Sequence, residues 1–87
     1  MSRFIRIKSP GELLAAIKKK PLRFLIMLGY GGTSAKQIRY DQRRLVFKVR
    51  NLIDGSRQDL TASQLMSPKH SNIGSAMRAG AFFAETY

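Results

Sequence analysis

The side chains in this 87-residue chain that could carry covalent or metal chemistry are few, and most have a local task. His70 is the sole histidine and there is no cysteine, so the usual thiolate and imidazole zinc sets cannot form. Of the five acidic residues, Glu12 fits a helix-capping box, and Asp41 and Asp54 fit turns. Asp59 and Glu85 fall at no spacing that would couple two carboxylates for acid–base work. Serines are numerous, but a serine nucleophile needs an oriented base, and His70 falls in an expected loop between helices. These residues point to a protein that binds rather than catalyses, without metal or cofactor.

Two segments have the residue types to hold an anion. Gly29-Tyr30-Gly31-Gly32-Thr33-Ser34-Ala35-Lys36 offers free amides, hydroxyls and a lysine, so Gly31, Gly32, Ser34 and Lys36 form a candidate phosphate site. The Gly-Lys-Ser/Thr ending of a phosphate-binding P-loop is missing, and a strand rather than a helix is expected to follow, which favours a structural glycine turn. Ser71 and Asn72 open an expected helix and form a second candidate, competing with ordinary N-capping.

Cations are the dominant feature. Sixteen Lys and Arg face five Asp and Glu, a net charge of +11. Residues 1–50 hold thirteen basic and two acidic residues, whereas residues 51–87 hold three of each, so the excess lies in the first half. A field so uneven favours a polyanion and steers its approach.

The elements that would position these cations follow from pattern and punctuation. Ser9, Pro10 and Glu12 start a helix that carries Leu13, Leu14 and Ile17 on one face and ends at Lys18, Lys19 and Lys20 before Pro21. Leu22 to Leu28 reads as a strand, with a short helix as the alternative. Thr33 to Tyr40 and Leu45 to Asn51 read as two further strands, giving an antiparallel meander. An even-numbered loop sets Tyr40 opposite Leu45 and Ile38 opposite Phe47. Ile38, Tyr40, Leu45, Phe47 and Val49 then form a core face, and Gln37, Arg39, Val46, Lys48 and Arg50 an outer face. Asp54-Gly55-Ser56 is a turn. Thr61 and Gln64 cap a short helix through Met66, and Ser71-Asn72 opens another that places Ile73 and Met77 together and ends at Gly80. Ala81 to Ala84 is expected as a possible edge strand. The fold class is α+β: an N-terminal helix, a three-stranded antiparallel meander and two short C-terminal helices, in a single small basic domain over residues 1–87.

On this scaffold Arg39, Lys48 and Arg50 share one face, with Arg23 beside them and Arg44 near the loop. Lys18, Lys19 and Lys20 would extend the cationic track. Tyr30, at a turn, is placed to stack on a base. A sheet face that combines cations with aromatics suits single-stranded nucleic acid, although the aromatic pair of an RNA-recognition motif is absent. The expected partner is DNA or RNA, or a protein–nucleic-acid complex, held mainly through backbone charge. The alternative is a small inhibitor of the kind that bacteriophages and mobile elements encode, docking on a host or defence complex or sequestering a nucleotide signal. The longest apolar run, Phe24 to Leu28, is far too short to cross a membrane, and no signal-peptide pattern opens the chain, so a cytoplasmic location is expected. Leu25 and Met27 on the outer side of their strand, with Phe82 and Phe83, suggest a homodimer.

Overall fold

Helix α1 (Pro10–Lys19) begins where the capping pattern places it. The Ser9 hydroxyl accepts from the Glu12 amide at 3.2 Å, and the Glu12 carboxylate reaches back to the Lys8 amide at 2.7 Å. Leu13 is fully buried, with Leu14 and Ile17 packed beside it. The computed structural model describes residues 3–19, 23–27 and 33–86. Gly31, Gly32, Tyr30 and Lys20 lie outside that set, as do the side chains of Lys19 and of strand β2.

Among the described residues, six strands make one antiparallel sheet: β1 (Arg3–Arg6), β2 (Arg23–Met27), β3 (Thr33–Asp41), β4 (Val46–Asn51), β5 (Arg57–Leu60) and β6 (Phe82–Thr86). Their spatial order is β1-β6-β2-β3-β4-β5, so the expected meander β2-β3-β4 is present and continues into β5. Residues 23–27 are strand, which settles the strand-or-helix choice for that segment. Helices α2 (Ala62–Met66) and α3 (Ile73–Arg78) follow β5, as expected for the C-terminal part. Thr61 and Gln64 form a reciprocal capping box on α2. Gly80, with φ of +71°, comes two residues after α3 and turns the chain into β6.

Helices α1, α2 and α3 pack on one face of the sheet. That face contributes Ile38, Phe47, Val49, Leu60, Phe82 and Ala84 to the core, against Leu13, Leu65, Ile73, Ala76 and Met77. The half-buried Tyr40 ring meets Phe47 edge-on at 4.8 Å between centroids. The result is a two-layer α+β domain with one sheet face left uncovered by the helices.

Four expectations need correction. First, the β3–β4 turn lies one residue further along than expected, and the register changes by two: Tyr40 pairs with Phe47 and Ile38 with Val49. The Asp41 carboxylate accepts from the amides of Arg43 and Arg44, at 3.0 and 3.2 Å, which fixes the turn after Asp41 instead of after Tyr40. A shift of two preserves the alternation of faces, so the split between core and cationic sides survives. Second, Leu45 is not a core residue. It takes a left-handed φ of +55° at the end of the turn and is 63% exposed, whereas Val46, placed outward by the sequence reading, is buried in the closing pair with Asp41. Third, β6 is an interior strand between β1 and β2, and not an edge. Phe82 and Ala84 are buried there because both flanks of the strand are hydrogen-bonded and its inner face meets the helices. Fourth, β1 and β5 are strands that the patterning did not announce.

The β4–β5 connection shows how a short polar loop is held. Ser56 donates its amide to Asp54 Oδ1 at 2.8 Å, and Gly55 supplies a φ of +76°. That backbone hydrogen bond, with the Ser56 hydroxyl and Lys36 assisting, holds the Asp54 carboxyl below its ordinary value.

Candidate functional site

The uncovered face of the sheet is built by simple alternation. In antiparallel strands, directly opposed residues project to the same side. Register therefore places Arg39 opposite Lys48, Lys48 opposite Asp59, Gln37 opposite Arg50, and Arg50 opposite Arg57. Arg39, Lys48, Arg50, Arg57 and Asp59 are all exposed. An open groove of about 380 Å³ runs among them, lined by Gln37, Arg39, Lys48, Val49, Arg50, Arg57 and Asp59.

The electrostatics of the groove are one-sided: its lining has four cations and one carboxylate. That carboxylate is engaged from outside the groove, since Arg44 Nη1 donates to Asp59 Oδ2 at 2.9 Å. Asp41 lies 3.9 Å from Lys48 Nζ, a loose pairing for a carboxylate that already accepts two turn amides. Two like-charged pairs, Arg39 with Lys48 and Arg50 with Arg57, stand directly across neighbouring strands. Such pairs are unfavourable by roughly 0.2–1 kcal/mol each. The exposed Arg44–Asp59 bridge returns no more than about 1 kcal/mol.

The sequence-derived site residues divide into groups. Arg39, Lys48 and Arg50 meet in the groove, and Arg44 lies at its rim through Asp59. The backbone of Arg23 is level with Gln37 and Glu85 across β3 and β6. Lys18 is exposed on α1, in the helical layer and not in the groove, and the backbone of Lys19 ends that helix. Ser34 and Lys36 lie within β3 and not in a loop that opens a helix. Ser34 is buried, and alternation places both residues on the opposite side from Arg39. Ser71 donates to the Leu65 carbonyl at 3.0 Å and accepts from the Ile73 amide at 3.2 Å. Asn72 is the N-cap of α3 but makes no side-chain capping bond, and the six-residue helix buries its first turn at Ile73 and Gly74.

Arg57 is the groove cation that sequence reading missed, and Asp59, on the same strand, was likewise not placed in the site. Arg57 belongs to the half of the chain without net charge, and Arg57-Gln58-Asp59-Leu60 has a single apolar residue to suggest a strand. The available signal was the Asp54-Gly55-Ser56 turn, which returns the chain alongside β4. Of the residues expected to support a dimer, Phe82 is fully buried in the core and Phe83 is half-buried under the Arg6 guanidinium. The side chains of Leu25 and Met27 lie outside the described set.

Among the described residues, no three side chains of metal-ligating type gather, and no helix is long and apolar enough to cross a membrane. Compared with known proteins, the chain matches no family model, no curated protein and no solved structure.

Proposed function

We propose that this chain is a non-catalytic binding protein for a phosphate-bearing polymer, DNA or RNA, which it engages through the uncovered face of its sheet. The observation that supports this reading is the paired alignment of Arg39 with Lys48 and Arg50 with Arg57 in one groove. Cations held this way repel one another in the free protein. A chain of phosphates relieves the repulsion and releases its own counterions on binding. The charge of +11 brings the polymer to the surface, and the groove supplies the fixed array on which it settles.

The test compares two triple variants that remove equal charge. Arg39→Gln, Lys48→Gln and Arg50→Gln together strip the groove, all at exposed positions that the core does not use. Lys8→Gln, Lys18→Gln and Lys69→Gln together remove three exposed cations elsewhere. Fluorescence anisotropy against an oligonucleotide is expected to show a large loss for the groove triple. Its slope of log affinity against log salt should become shallower by roughly one unit per lost contact. The control triple should retain most of the affinity. Equal losses would reduce the effect to net charge and remove the groove as a site. A wild-type protein with no affinity at physiological salt would favour instead the inhibitor reading, with an acidic protein surface as the partner.

A further inference from the structure

We infer that the polymer is single-stranded, and that it crosses the sheet from the cationic groove toward an aromatic platform on β1 and β6. This inference rests on the nucleic-acid reading above. It starts from the register, which aligns one residue from every strand: Phe4, Glu85, Arg23, Gln37, Arg50 and Arg57, in the order β1 to β5 across the sheet. The neighbouring row begins Arg6, Phe83. Directly opposed residues share a face, so Phe4 and Phe83 belong to the same uncovered side as Arg50 and Arg57.

The two ends of the face differ in chemistry. The β3–β5 end is cationic and suits phosphates. At the β1–β6 end, Phe4 is 54% exposed, and the Arg6 guanidinium lies 5.6 Å from the centre of the half-buried Phe83 ring. An exposed ring such as Phe4 and a guanidinium plane such as Arg6 are surfaces on which unpaired bases stack, at roughly 1–3 kcal/mol per base.

A duplex cannot use this combination. Its bases are stacked on each other and hide their faces. Six strands span about 24 Å at the usual spacing, twice the roughly 12 Å width of the major groove, so the sheet face cannot enter it. A duplex would touch only the cations, whereas a single strand would touch both ends.

The experiment measures anisotropy of labelled oligothymidine and oligouridine of about 12 nucleotides, and of a blunt duplex of equal length, at about 50 and 200 mM salt. The expected result is tighter binding of both single strands than of the duplex. Phe4→Ala should weaken single-strand binding roughly tenfold with an unchanged salt slope, and leave duplex binding unaffected. Phe4 is exposed, so the variant should fold, and a thermal melt verifies this. Phe83→Leu keeps an apolar side chain under Arg6 and should reproduce the loss in part. Equal affinity for duplex and single strand, with Phe4→Ala silent and the groove triple impaired, would overturn the single-strand inference while sparing the polyanion reading. Absence of binding to all three probes would overturn both.

Discussion

A Cβ placed on Gly74 would lie 2.6 Å from the Cα of Met66 and 2.8 Å from its carbonyl oxygen. Those are backbone atoms, so neither can rotate away. The absence of a side chain at this position lets α3 dock directly on the end of α2. The same Met66 carbonyl accepts from both terminal nitrogens of Arg78, at 2.7 and 3.3 Å. One backbone group thus receives α3 twice, four residues apart on the helix. Gly74→Ala is expected to destabilise the fold by about 1–3 kcal/mol, the usual cost of overpacking, and a thermal or denaturant melt would show it. The loss should not add to that of Arg78→Ala, because each variant loosens the contact that the other residue reports. Additive losses would mean that the two residues hold α3 independently.

At the scale of the strands, the cationic face makes a claim about stability as well as binding. Arg50 and Arg57 are opposed on β4 and β5, and both are exposed. A double-mutant cycle with Arg50→Gln and Arg57→Gln, run without nucleic acid, should give a repulsive coupling of about 0.2–1 kcal/mol. It should shrink as salt is added, since charges this exposed are screened over about 10 Å at 0.1 M. A coupling of zero at every salt concentration would mean that the guanidinium groups splay apart in solution. The same strands show what was legible beforehand. Alternation in Ile38 to Tyr40 and Phe47 to Arg50 separates core from cations whatever the exact pairing, so Arg39, Lys48 and Arg50 were readable as one patch. The turn position was not, because it depends on one carboxylate accepting two amides and on Leu45 entering a left-handed conformation that its type disfavours. Strands β1 and β5 were not readable either. Each is four residues long: β1 takes its place from β6 at the other end of the chain, and β5, although it follows β4 through the Asp54-Gly55-Ser56 turn, has a single apolar residue to mark it as a strand. Phe4 and Arg57 were missed for those reasons.

For the molecule as a whole, the question is what a body with a charge of +11 gains by folding around a cationic face. A second copy laid face to face is a poor answer, since an isologous contact would set Arg39, Lys48, Arg50 and Arg57 against their own images. Among the described residues, exposed apolar side chains lie at edge strand β1, where Phe4 and Ile5 are 54% and 53% exposed, and in the turns that flank β4, at Leu45, Leu52 and Ile53. A polyanion is the better complement of the face, and thermal stability separates specific from general attraction. The unfolded chain has the same formal charge as the folded one, so a polymer attracted by charge alone binds both and shifts the melting temperature little. Only the folded chain arrays the four groove cations across three adjacent strands. A ligand that uses the array therefore stabilises the native state, by about 2.7 kcal/mol at a free concentration one hundred times its Kd. In a domain of this size that corresponds to a rise in Tm on the order of 10 °C or more. An oligonucleotide at low salt is expected to produce such a shift in the wild type, and a much smaller one in the triple variant at Arg39, Lys48 and Arg50. A shift of equal size in both proteins would mean that the bound polymer recognises charge without the geometry of the sheet.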